Sequence, residues 1–240
     1  MQAVFKYTEY IEESGDFKMN DNETKLTVKI RNERKEDYRI VEELTRKAFW
    51  NVNEPGCNEH YLAHILRGHE DFIPGLDFVV ETPDGTIVGN VMYTLAKLKD
   101  EDGREMPVLT FGPISVHPAY QRMGIGRMML EHSFAKAAEM GYEVIVIYGN
   151  PDNYVARGFK SCKKYNVCRQ DGVYPSAMLV KELKEGALDG RKRFYQESPA
   201  YSFDGEAAEE FDRQFEPMKK EYLPCQEEFY IHSHSVIVDG

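Results

Sequence analysis

The chain has 240 residues, 42% of them hydrophobic and 12% aromatic, enough to bury one large core with an appendage. Acidic side chains number 41 against 30 basic ones, and the net charge of −11 speaks against general nucleic-acid binding and favours cationic substrates. The opening MQAVFKYTEYIEESGDFK lacks a basic start and an apolar stretch, no 18-residue apolar run occurs, and Cys57, Cys162, Cys168 and Cys225 lack metal-ligand spacing. A soluble cytoplasmic protein is expected, with no membrane segment, disulfide framework or metal site.

In chain order, residues 1–24 are polar and acidic and form an N-terminal extension to which no structure is assigned. Leu26–Arg31 alternates as a first strand, and Glu33–Trp50 carries Tyr38, Val41, Leu44 and Phe49 at near-helical spacing. Residues 51–68 open as a loop at Asn53-Glu54-Pro55-Gly56 and close as a helix with Tyr61, Leu62 and Ile65 inward. Two apolar runs, 76–81 and 86–98, flank an Asp84-Gly85 turn, a hairpin signal because glycine accepts positive φ. A second turn at Asp100–Gly103 leads into the strand of Val108, Thr110, Ile114 and Val116, which Gly112-Pro113 interrupts as a bulge or splay.

That strand turns through Gln121-Arg122-Met123-Gly124-Ile125-Gly126-Arg127 into a helix with Gly126, Leu130, Phe134 and Ala138 expected on one face. A helix start presents free N–H groups and the positive end of the macrodipole, and glycines let a phosphate reach them; Arg122 and Arg127 add charge. A dinucleotide fingerprint would need glycine at Met129, and a P-loop would need Lys and Ser or Thr where Arg127 and Met128 stand. Next, Tyr142–Tyr148 reads as a strand buried on both faces and parallel to its predecessor. Pro151 and Gly158 then bound a short helix, and final strands are expected near Lys160–Val167 and Ala177–Leu183.

Past Glu182 charged residues and aromatics dominate. Arg191-Lys192-Arg193-Phe194-Tyr195 reads as a surface strand, Asp204 as the cap of a helix with Ala208, Phe211 and Phe215 on one face, and His232 and His234 as a strand or frayed terminus. Too small for its own core, this tail is expected to pack on the main domain and narrow a substrate entrance.

Gln121-Arg122-Met123-Gly124-Ile125-Gly126 resembles Q/R-x-x-G-x-G/A, the pyrophosphate signature of the GNAT superfamily of N-acetyltransferases. Tyr154, four residues before Gly158-Phe159, is similar to the tyrosine that faces the thioester in that superfamily. Gly56-Cys57-Asn58-Glu59-His60 and Gly149-Asn150-Pro151 resemble a bacterial branch of predicted acetyltransferases, which usually shows His at the position of Asn150. The resemblance covers about 26–183. It implies a mixed α/β fold: a central twisted sheet with an antiparallel N-terminal meander, helices on both faces, a transferase domain over 25–185 and a C-terminal extension over 186–240.

The resemblance further implies that acetyl-CoA is bound by the strand edge Ile114-Ser115-Val116, by Gln121, Arg122, Met123, Gly124, Ile125, Gly126 and Arg127, and by Asn150, with no metal. Tyr154 would protonate the leaving thiolate. Glu59 and His60 are the candidate bases, and Glu54 and His64 are further polar residues over the acceptor groove. The expected reaction is acetyl transfer to a primary amine of a small molecule or peptide, by direct attack in a ternary complex. The alternative is a GNAT-fold protein that senses acyl-CoA without turnover. No nucleic-acid or membrane partner is expected, and a homodimer is left open.

Overall fold

The computed structural model describes residues 10–11, 16–21 and 24–238. Its strands are β1 Tyr10–Ile11, β2 Asp16–Asp21, β3 Thr24–Asn32, β4 Phe78–Glu81, β5 Ile87–Asp100, β6 Glu105–Val116, β7 Val144–Tyr148, β8 Lys160–Ser161, β9 Val167–Cys168, β10 Met178–Glu182 and β11 Arg193–Gln196. The α-helices are α1 Tyr38–Phe49, α2 Glu59–Leu66, α3 Ile125–Glu139, α4 Pro151–Tyr154, α5 Gly205–Asp212 and α6 Pro224–His234. They build one mixed sheet in the order β1-β2-β3-β4-β5-β6-β7-β10-β8, with β11 beside β5 and β9. Among the described residues only β6–β7 and β9–β11 run parallel. Among the described residues no helix is long and apolar enough to cross a membrane.

Helices cover both faces, as expected. On one, α3 lays Ile125, Met129, Leu130 and Phe134 against Val91, Tyr93, Leu109, Ile145 and Ile147. On the other, Val41 and Leu44 of α1 meet Val79 and Ile87, and Leu62, Ala63 and Leu66 of α2 meet Met92. The buried stripe of α3 differs from the sequence reading: Ala138 is exposed and Gly126 half-buried, while Ser133 and Ala137 face the core. The helix begins at Ile125, and its phase turns Gly126 to the open rim beside Val116.

Other departures have local causes. The run 160–167 is broken into β8, a 3₁₀ turn over Cys162–Tyr165 and β9, because Asn166 takes φ 56°. The first helix starts only at Tyr38, after a 3₁₀ turn at Lys35–Asp37. Strand β2 pairs with β3 along its whole length, so the sheet reaches into the segment left unassigned. β11 aligns antiparallel with Lys97–Asp100 and buries Tyr195, so the charged cluster read as a surface strand belongs to the main sheet. His232 and His234 lie on α6, not on a strand.

The feature that positions the site is the parting of β6 and β7. Their ladder holds one register pair, Leu109 with Ile145. The β5–β6 register shifts between Val91 and Tyr93, opposite Gly112-Pro113, and past that point the β7-side edge of Ile114–Val116 carries no strand among the described residues. A wedge opens there between two strands whose backbone would otherwise be satisfied by pairing.

Candidate active site

Into the wedge opens a cleft of about 550 Å³, lined by Ile114, Val116, Gln121, Arg122, Gly124, Ile125, Gly126 and Arg127, with Tyr154 and Arg157 opposite. The loop conformation explains its glycine. Gly124 has φ 84°, and Arg122 also sits at positive φ, 63°. This pair of turns reverses the chain between strand and helix and leaves the first amides of α3 outside the helical ladder, where an anion can accept from them. Among the described residues three arginines line the cleft with Asp152 as the one carboxylate, and Glu131 braces two of them, 2.8 Å from Arg127 and 3.5 Å from Arg157. A positive cleft at a helix start is built for a polyanion.

Tyr154 ends α4. Asn150 caps that helix by accepting from Asp152 N at 3.0 Å, and Gly158 stops the following turn at φ 88°. The ring packs on Phe111 and Phe159, each 5.7 Å between centroids. A β-carbon at position 149 would lie 2.5 Å from Tyr154 Cε2, so Gly149 is the absence of side chain that admits the ring. Burial pushes the phenol up to about 12.

Not every expected residue reaches the cleft. Ser115 is fully buried and donates to Thr45 Oγ1 at 2.9 Å, so only its backbone can serve a ligand. Met123 is not among the lining residues, and Asn150 lines a neighbouring cavity. Glu59 lines a third cavity, its carboxylate held by Asn53 Nδ2 at 2.7 Å and Asn58 N at 3.1 Å and raised in pKa by burial. Glu54 likewise accepts from Asn58 Nδ2, and His64 pairs with Glu42.

His60 is a correction. It is fully buried, 3.1 Å from Asp212 of α5 and packed against Phe211 and Phe215, so it joins the tail to α2 and lines neither the cleft nor the neighbouring cavities among the described residues. Arg46 already holds the Asp212 carboxylate at 2.6 Å. Burial therefore outweighs the pull of Asp212, and the imidazole stays neutral with its pKa pushed below the usual value. The sign follows: near pH 6.5 the unfolded chain takes up a proton that the folded chain refuses, costing about 1.4 kcal/mol per unit of depression. The melting temperature should fall as pH drops from about 7.5 to 5.5, and His60→Gln should flatten that drop. An equal acid loss in a folded His60→Gln protein would remove His60 as its cause.

One carboxylate escaped the sequence reading. Glu197 follows β11; its side chain is exposed to solvent, and desolvation by the surrounding protein raises it to about 7. Its charge acts on Tyr148, Tyr195 and Tyr201. Tyr201 donates to Gly112 O at 3.1 Å, and Tyr148 ends β7, so two of the tyrosines that feel this charge stand at the wedge. Nothing local marks it: the signal is a strand pairing between positions about 100 apart. Cys225, expected as a packing or surface thiol, stands in the first turn of α6 and lines the second cavity. The other three cysteines are buried, with thiols pushed up by desolvation.

Residues 29–162 match the family model described as acetyltransferase (GNAT) domain. The uncharacterized N-acetyltransferase YhbS of Escherichia coli K12 is 29% identical over 133 residues, 55% of this chain and 76% of that protein. YjhQ, another uncharacterized N-acetyltransferase of that strain, is 28% identical over 129 residues, 53% and 67%. The crystal structure of E. coli YhbS in complex with CoA superposes with TM-score 0.65 and 22% identity, covering 78% of this chain and 98% of that one. A GNAT family acetyltransferase from Brucella melitensis in complex with acetyl-CoA superposes with TM-score 0.58 and 22% identity, covering 73% and 98%. With the wedge, the glycine loop and the tyrosine in one cleft, and the family model spanning more than half of its residues, this chain belongs to the GNAT family of acetyltransferases.

Proposed function

We propose that the protein transfers an acetyl group from acetyl-CoA to a primary amine by direct attack in a ternary complex. The observation that carries this reading is the single cleft in which the start of α3, its arginines and Tyr154 face one another. The pyrophosphate would lie on the amides of 124–127 near Arg122 and Arg127. The pantetheine arm, rich in amides, would pair with the β7-side edge of Ile114–Val116. The thioester would then lie in the wedge near Tyr154. The CoA and acetyl-CoA complexes of the two similar proteins support the choice of co-substrate.

An alkylammonium must first lose a proton, at a cost of about 4–5 kcal/mol at neutral pH for a pKa near 10.4. Glu197 takes it, directly or through water; a carboxylate titrating near 7 is half ionised at that pH and basic enough to be useful. The amine lone pair then forms the C–N bond, the C–S bond breaks with its electrons on sulfur, Tyr154 donates its proton to the thiolate and regains one from the second nitrogen proton through water, and Glu197 gives its proton up to solvent. Three of the four cysteines are buried with raised thiols, which fits a mechanism without an acyl-enzyme. The extension after 185, supplying Glu197 and the anchor of α5, would be part of the working enzyme.

Gly126→Val tests the coenzyme site. Gly124 is a poor choice because its positive φ would strain any side chain. A β-carbon at 126 meets only Val116 Cγ2 at 3.8 Å, an ordinary contact, so the variant should fold with an unchanged melting temperature. Calorimetry should show acetyl-CoA binding weakened by about 100-fold or more, the displacement of one phosphate from its amides. Unchanged affinity would move the coenzyme elsewhere.

A further inference from the structure

We propose that a second cavity, about 380 Å³ between the end of β7 and α6, is the acceptor pocket, and that it takes a small primary amine carried on an apolar stem. This inference rests on the acetyl-transfer reading above. The cavity meets the coenzyme cleft: Val52 and Asn153 line both. Its wall includes Gly149, the residue against which the Tyr154 ring lies. An amine seated there has its path to the wedge past the phenol.

The lining names the chemistry. Tyr148, Ala177 and Phe229 with Val52 offer apolar and aromatic surface, Glu228 offers a carboxylate, and no Lys or Arg is among the described residues that line it. Three arginines line the cleft next door. His232 lines the same cavity, with Glu228 as its carboxylate among the described residues; the arginine-lined cleft suits the polyanionic coenzyme and the chamber with Glu228 suits a cationic acceptor. A chamber this size lies at the small end of ligand pockets, roughly 300–1,000 Å³, and suits a small molecule.

Helix α6 lies beyond residues 29–162, the part of the chain that matches the family model. It is fixed in place: Gln226 Nε2 donates to Asn51 O at 3.0 Å, and Val236 bridges to Pro175. Phe229 is 47% exposed as it faces the cavity, an apolar cost that a bound stem would remove.

Cys225 supplies a readout that does not depend on turnover, since it lines the cavity while the other three cysteines are buried. The full chain would be treated with iodoacetamide, with and without phenethylamine or hexylamine, and alkylation at Cys225 followed by mass spectrometry. Either amine should slow alkylation several-fold, and 2-phenylethanol, which lacks the ammonium, should protect less. Steady-state assays should show both amines acetylated, and Glu228→Gln and Phe229→Ala should each raise the amine KM about tenfold while leaving the acetyl-CoA KM unchanged. The assignment is overturned if neither amine protects Cys225, if both variants keep the wild-type amine KM, or if a lysine-bearing peptide is acetylated while these amines are not. Loss of the coenzyme reading itself would appear separately, as absent acetyl-CoA binding by calorimetry.

Discussion

Tyr154→Phe should lower kcat by about 10²–10⁴ while the affinity for acetyl-CoA stays nearly unchanged, the usual worth of one positioned proton donor. The substitution keeps the ring, and with it the contacts to Phe111, Phe159 and Gly149 that set its place. It removes only the hydroxyl. A phenol raised to about 12 holds its proton firmly, and complete transfer to a thiolate of pKa about 8.5 would then be uphill by roughly 5 kcal/mol. The sulfur leaves into the same apolar surroundings, however, and the desolvation that raises the phenol also raises the thiol, so the gap closes in the bound state. Acyl donors with a more acidic thiol need less help and should lose less to the substitution. A Phe variant with wild-type turnover on acetyl-CoA would take Tyr154 out of the chemistry and leave it as packing.

The parts of this site that were legible in the sequence are those fixed by near neighbours. The glycine turn ahead of α3, Pro151 in the first turn of α4 and Gly158 at the stop are each set by backbone geometry within a few residues, and the strand, loop and helix follow in that order; the Asn150 cap was not read, since that residue was expected on the coenzyme. Helix phase was less legible: placing the α3 stripe one position late put Ala138 in the core and missed Ser133, whose hydroxyl meets Tyr93 OH at 2.7 Å. Contacts between distant segments were not legible at all. A histidine in a G-C-x-E-H segment reads the same whether it faces a groove or an aspartate of a distant helix, and only the docking of α5 decides for the second. The same holds for Ser115, drawn inward by Thr45, and for α6, whose sequence has apolar residues on every side and no stripe to predict a partner.

Glu197→Gln should change the shape of the pH profile as well as the rate. With a carboxylate that ionises near 7, wild-type kcat/KM should rise with unit slope below that value and level off above it, because the enzyme accepts the abundant ammonium and removes its proton itself. Glutamine cannot accept that proton. The variant must wait for amine that is already neutral, about one part in 10³ or less at pH 7 for a pKa near 10.4. Its kcat/KM should therefore fall by about 10²–10³ at pH 7 and keep rising with unit slope toward pH 10, where it should approach wild type. The rescue at high pH separates a missing base from a damaged pocket, since lost packing would lower the rate at every pH. An acceptor of lower pKa should show a smaller deficit at neutral pH for the same reason. If Glu197→Gln kept the wild-type plateau above pH 7, proton removal would belong to another group, and Glu59, the raised carboxylate in the adjoining cavity, would be the one to replace next.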